Sequence, residues 1–168
     1  MAVILSLTTD GPDATRALGA VMGADLAAGD VLALSGELGA GKTCLVQGLA
    51  RGLGLEGPVT SPTFVLVRTL TGGRIPLVHV DVYRLDQLSD VEGLGDDVLA
   101  PDVVTVIEWG DTVDALLPEE RLLVEIEHGD HPDQRVVSIR GADHWEQRAA
   151  TWRDALGDAA GTTLDVGS

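Results

Sequence analysis

The chain has 168 residues, 45% of them hydrophobic, and a formal net charge of −16 from 27 acidic against 11 basic side chains. That hydrophobic share supports one packed domain and excludes a disordered chain, while charge of this sign excludes direct, independent binding of DNA or RNA phosphates. The apolar runs are too short to cross a bilayer, the start MAVILSLTTD lacks the features of a signal peptide, and the lone Cys44 can form no internal disulfide, so a soluble, cytoplasmic protein is expected.

Residues 12–28 (PDATRALGAVMGADLAA) space apolar side chains helically behind a proline, which predicts a first helix. Asp30–Ser35 reads as a short apolar strand, followed by a glycine-rich loop and a second helix from Lys42 to Leu53, closed by Gly54. EGPVTSP (56–62) is a loop marked by proline and glycine. TFVLVRTL (63–70) and IPLVHVDVY (75–83) flank TGGR (71–74), a hairpin signal. Residues 84–100 are polar and acid-rich, whereas DVVTVIEW (102–109) reads as a strand buried on both faces. RLLVEIEH (121–128) and RVVSIRG (135–141) are two more strands around the turn GDHPDQ.

A last helix opens at Asp143, read as an N-cap with Glu146 three residues on. Trp145, Ala149, Trp152 and Leu156 then share one face, as core or docking surface. The fold class expected is α/β: a P-loop NTPase-like central sheet flanked by helices, with a β-hairpin and additional C-terminal strands. Residues 1–156 form one domain, and residues 157–168 are expected to be a flexible tail.

The loop carries the chemistry. Gly36-x-x-x-x-Gly41-Lys42-Thr43 matches the phosphate-binding pattern G-x-x-x-x-G-K-[ST], with the apolar strand before it and the amphipathic helix after it that the pattern requires. Glycines let the backbone wrap a phosphate chain with N–H groups inward, and the helix N-terminus adds its positive end. Glu37, Leu38, Gly39 and Ala40 supply backbone N–H groups, Lys42 reaches the β- and γ-phosphates, and the Thr43 hydroxyl takes a place on Mg²⁺. Lys42 is the only lysine of the chain. Cys44 reads as a small apolar residue of the first helical turn.

Such a loop is usually served by an acid at the end of a neighbouring apolar strand. Asp81 ends PLVHV and Glu108 ends VVTVI; Glu108 ranks first as metal ligand or water-orienting acid, and Asp81 is its companion. Thr63, in TSPTF, reads equally as a switch threonine reporting nucleotide state or as an ordinary residue opening a strand after Pro62. Guanine reading through N-K-x-D is excluded, because the only lysine is already in the loop, so ATP is expected. A small-molecule kinase stays open as an alternative, although Arg84 is the only arginine or lysine between Arg74 and Arg121 to clamp a phosphorylated acceptor. A nucleotide-sensing binding module is the other alternative. No arginine lies beside the loop or the acids in sequence, and Arg84, Arg135 and Arg140 are those that could fold into reach.

GELGAGKT, SPTF, HVDVYRL and VIEWGD, in this order and spacing, resemble the TsaE (YjeE) family of small bacterial P-loop ATPases over Leu7 to Arg140. The resemblance implies an ATPase required for threonylcarbamoylation of the adenosine beside the anticodon in tRNAs reading codons that begin with A, acting with TsaD and TsaB. It implies Thr43 and Glu108 as Mg²⁺ ligands, Asp81 as a functional acid, Thr63 as the switch threonine and Trp109 as the residue following the metal-binding glutamate. Ser61, Pro62, Thr63 and Trp109 would form the switch or partner face, and the segment from Thr9 to Thr15 would border the adenine. Cys44 stands where a small polar residue is expected. Partners that carry the tRNA and the chemistry would also reconcile a role in tRNA modification with a strongly acidic chain.

Overall fold

Among the described residues, eight strands form one continuous sheet in the order β3-β4-β5-β2-β6-β7-β1-β8. The computed structural model describes residues 1–37, 39–59, 67–81, 98–108, 116–157 and 161–164. In chain order the elements are β1 (Ala2–Thr9), α1 (Pro12–Asp25), β2 (Val31–Ser35), α2 (Lys42–Gly52), β3 (Val67–Leu70), β4 (Leu77–Asp81), β5 (Val104–Glu108), β6 (Leu122–His128), β7 (Arg135–Gly141), α3 (Asp143–Leu156) and β8 (Thr162–Leu164). No helix among them is long and apolar enough to cross a membrane.

The middle of the sheet is parallel: β4 pairs with β5, β5 with β2, and β2 with β6. Strands in that position are covered on both faces, and β4 and β5 are buried along their whole length, as the mainly apolar run of β5 predicts. The edges are antiparallel. On one side TGGR turns β3 back onto β4 with Leu70 opposite Leu77, so the hairpin forms as read. Residues 63–66 and 82–83 of the expected hairpin lie outside the described residues. On the other side β6, β7 and β1 run antiparallel.

All three described helices contribute to the large core on one sheet face, with Leu18 and Met22 from α1, Leu45 and Leu49 from α2, and Trp145 and Trp152 from α3 packed against Leu32, Leu34, Val106 and Val124. The opposite face holds a smaller cluster around Ala33, Val78, Val80 and Ile107.

The first two helices meet backbone to backbone. Gly19 and Gly23 of α1 face Gly48 and Gly52 of α2, and a Cβ placed on Gly48 would lie 2.1 Å from the Arg16 carbonyl oxygen. Only glycine permits that approach. It ties the helix carrying Lys42 and Thr43 to a rigid neighbour.

Three features differ from the sequence reading. The start of the chain is a strand, with Leu5, Leu7 and Thr9 turned into the core. The expected loose tail contributes Thr162–Leu164 as β8, because β1 is otherwise a sheet edge whose backbone N–H and C=O groups seek a partner. At α3 the N-cap is Ala142 and no side chain caps the helix; Asp143 and Glu146 lie within the first turn, where they favour the helix dipole without forming the expected capping box. The Trp145, Ala149, Trp152 and Leu156 stripe is core, as its spacing predicts.

A cluster around Arg148 fastens α3 to the last residue of α1 and to the residue before β2. The Arg148 guanidinium donates to Asp25 Oδ2 at 2.8 Å and Asp30 Oδ2 at 2.8 Å and lies 4.2 Å over the Trp145 ring, while Trp152 Nε1 donates to Asp25 Oδ2. Burial lowers the Arg148 pKa, but the hydrogen bonds to Asp30 and Asp25 and their charges more than offset this and raise it above its ordinary value.

Candidate nucleotide site

β2, β4 and β5 run parallel, so their C-terminal ends open at the same edge of the sheet, where ligands of open α/β sheets bind. The phosphate loop leaves β2 there. Gly36, Gly39 and Gly41 have φ of 147°, 80° and 110°, left-handed backbone that side chains disfavour. A Cβ on Gly36 would in addition lie 2.5 Å from the Ile126 carbonyl oxygen. Glu37 is exposed, as a tolerated acid should be, and Ala40 is fully buried.

Lys42 begins α2 and is 5% exposed. Its ammonium donates to the Gly36 carbonyl at 2.6 Å and the Glu37 carbonyl at 3.0 Å, closing the loop on itself. Thr43 follows, half-buried, in the first turn. Cys44 is half-buried in the same turn, which fits a small packing residue.

The two acids stand side by side. Asp81 and Glu108 are register partners at the ends of β4 and β5, and Glu108 is also in register with Leu34 of β2, two positions before the loop. Glu108 is 3% exposed and Asp81 9%. His79, fully buried two residues before Asp81, shares a 2.6 Å hydrogen bond between its Nε2 and Glu108 Oε2. Its Nδ1 is buried without a hydrogen-bond partner among the described residues. The bond to His79 was not anticipated from sequence: HVD places a histidine on the same strand face as Asp81, but its partner lies 29 residues away.

Thr9 and Thr15 are buried and their hydroxyls lie 2.8 Å apart, joining the end of β1 to α1. A side chain on Gly41 would meet the Thr15 methyl at 3.9 Å, so this segment borders the loop. One helical turn beyond Thr43, Gln47 accepts from Arg16 at 2.8 Å and donates to the Val59 carbonyl at 3.0 Å, anchoring the lead into the expected switch.

Gly36, Glu37, Gly39, Ala40, Gly41, Lys42, Thr43, Asp81 and Glu108 are thus brought to one end of the sheet. Leu38, Ser61, Pro62, Thr63 and Trp109 lie outside the described residues, as does Arg84. Of the arginines weighed as neighbours of the loop, Arg135 reaches it: Nε donates to the Ala40 carbonyl at 2.8 Å and Nη2 to the Gly39 carbonyl at 3.3 Å. Arg140 is exposed and pairs with Val3 at the opposite end of β7.

The donor set suits Mg²⁺. A threonine hydroxyl and a carboxylate are hard oxygen ligands, and Glu108 Oε1 makes none of the described hydrogen bonds while Oε2 is held by His79.

A glycine loop between a buried parallel strand and a helix, with acids at the ends of adjacent strands, defines a protein of the P-loop type. The solved structure of YdiB from Bacillus subtilis shares this fold, with a TM-score of 0.73 and 30% identity, covering 92% of this chain and 96% of that one. Residues 9–137 match the family described as threonylcarbamoyl adenosine biosynthesis protein TsaE, and the chain belongs to that family. It is 47% identical over 137 residues to the tRNA threonylcarbamoyladenosine biosynthesis protein TsaE of Streptomyces coelicolor, covering 77% of this chain and 93% of the relative. The same-named proteins of Mycobacterium tuberculosis H37Rv and Bacillus subtilis are 44% and 35% identical, covering 74% and 84% of this chain and 79% and 89% of their own lengths.

Proposed function

We propose that this chain binds ATP with Mg²⁺ and hydrolyses it as the accessory ATPase of tRNA threonylcarbamoyladenosine biosynthesis, working with TsaD and TsaB in the cytoplasm. The observation that carries the reading is the buried Lys42 closing a left-handed glycine loop at the strand end beside Glu108 and Asp81. The family to which the chain belongs supplies the pathway.

The chemistry follows from this arrangement. The loop N–H groups and the start of α2 hold the phosphates, and Lys42 exchanges its two carbonyl contacts for the β- and γ-phosphate oxygens. Thr43 and Glu108 would hold Mg²⁺, which when bound neutralises charge on the phosphates. His79 keeps the Glu108 carboxylate in one orientation, and Asp81 beside it is the second acid of the site, with the role of orienting the attacking water. ATP is preferred over GTP because the lysine of the guanine-reading motif is absent.

Turnover by the chain alone is slow on this reading. Among the described residues, the arginine at the loop donates to backbone carbonyls from all three of its nitrogens, an arrangement that leaves the γ-phosphate to a group from elsewhere. A stabilising arginine is worth about 10³–10⁵ in rate in related nucleotidases. A partner docked over Ser61–Thr63 and Trp109 would supply or position that group, and the acid-rich residues 86–102 would steer a basic partner.

The test is phosphate release by the purified chain, alone and with TsaD and TsaB. The reading expects slow release alone, faster release with the pair, and negligible binding of free tRNA. Phosphate transfer to a small-molecule acceptor instead of water would replace it with the kinase.

A further inference from the structure

Two cations hold four carbonyl groups of the phosphate loop. Lys42 takes those of Gly36 and Glu37; Arg135, from the first position of β7, takes those of Gly39 and Ala40. The remaining nitrogen of the Arg135 guanidinium is also held by backbone, with Nη1 donating to the Pro132 carbonyl at 2.7 Å and the Gln134 carbonyl at 2.9 Å. It forms no ion pair with a carboxylate among the described residues, in a chain where acids outnumber bases 27 to 11. Among the described residues, a half-buried positive charge is thus held against the loop by carbonyl dipoles.

We propose that Arg135 is a positioning residue for nucleotide binding, which keeps the loop in its phosphate-binding shape through carbonyls that Lys42 does not hold; this rests on the nucleotide reading above. In a trans peptide unit the C=O and the following N–H point in opposite directions. Pinning the Gly39 and Ala40 carbonyls therefore fixes the directions of the Ala40 and Gly41 N–H groups. The first closes a turn onto the Glu37 carbonyl at 2.9 Å, and the second begins the run of N–H groups at the start of α2.

Lys42 must leave its carbonyls when phosphates arrive. Arg135 need not. It holds half of the loop through the exchange, so that ordering is already done before the nucleotide binds. Its charge, adjacent to the cradle, adds to the attraction for a polyphosphate. The planar fork suits this task, because Nε and Nη2 meet consecutive carbonyls together, a grip that an ammonium cannot copy.

The experiment measures MgATP and MgADP dissociation constants by calorimetry for wild type, Arg135→Lys, Arg135→Gln and Arg135→Ala, beside the melting temperature of each nucleotide-free protein. Affinity should fall about tenfold in Arg135→Lys and about a hundredfold in Arg135→Gln, the loss of one and of all charged donors to the loop. Melting temperatures without nucleotide should change little, and millimolar guanidinium should restore part of the ATP affinity of Arg135→Ala while leaving wild type unimproved. Unchanged affinity in Arg135→Gln, with a lowered melting temperature, would assign Arg135 to the turn at 132–134 and overturn the proposal. Loss of folding in both Arg135→Lys and Arg135→Gln would do the same. A wild-type chain that binds no ATP would overturn the nucleotide reading itself, and this inference with it.

Discussion

Replacing Gly48 by alanine should destabilise the protein, although the same change inside a helix ordinarily stabilises it. Alanine improves helix propensity by about 1 kcal/mol. At Gly48 its Cβ would stand 2.1 Å from the Arg16 carbonyl oxygen and 2.9 Å from the Gly19 Cα. An acceptable carbon-to-oxygen contact is about 3.3 Å, so α1 and α2 must part by about an ångström. Both obstacles are backbone and cannot rotate away. The separation would loosen the matching contacts of Gly19, Gly23 and Gly52, placing the cost at the upper end of overpacking, about 3 kcal/mol. The net loss is then about 2 kcal/mol, a fall in melting temperature of about 4–8 °C for a chain of this size. Differential scanning calorimetry reads this directly, with Gly157→Ala as the comparison: there the nearest atoms are 3.6 and 3.7 Å away and the backbone is right-handed helical, so stability should hold or rise. A Gly48→Ala protein as stable as wild type would refute the close helix contact as a constraint on where α2 carries Lys42 and Thr43.

Lys42→Ala removes a buried ammonium on the loop and should weaken ATP binding about a hundredfold, on the order of 3 kcal/mol, in a calorimetric titration. Glu108→Ala should still bind nucleotide but hydrolyse it far more slowly and with a weaker Mg²⁺ requirement; if Asp81→Ala shows that pattern and Glu108→Ala does not, the roles of the two acids are reversed. Arg148→Ala removes the guanidinium that Asp25 and Asp30 share and should cost about 1–2 kcal/mol by denaturant titration, a figure discounted because all three groups are partly exposed. Because the folded pKa of Arg148 is raised, its contribution is complete at every pH below its unfolded value and is lost only as pH rises through the folded one; the destabilisation should therefore be equal from about pH 6 to about pH 9.

Local pattern carried the elements whose burial is decided locally. β5 was legible because a parallel strand covered on both faces is mainly apolar, and α3 because Trp145, Ala149, Trp152 and Leu156 recur at helical spacing. The loop was legible because its geometry demands glycine at fixed places. What escaped was set by distant partners. β8 is three residues whose only reason to be a strand is the edge of β1, more than a hundred and fifty positions earlier. The α1–α2 contact had a signal, glycines four apart in each helix, but nothing local says that the two pairs meet. His79 finds Glu108, and Arg135 finds the loop, only because the sheet places the ends of β4, β5 and β2 and the start of β7 at one edge.

The central claim is that nucleotide handling at Lys42 is how this chain serves tRNA modification. The measurement that bears on it most directly is the threonylcarbamoyladenosine content of tRNA, by nucleoside mass spectrometry, from cells in which this chain is the only protein of its family. The wild-type chain should sustain the modification, and Lys42→Ala, folded and equally abundant, should lose it. Full modification sustained by Lys42→Ala would contradict the account.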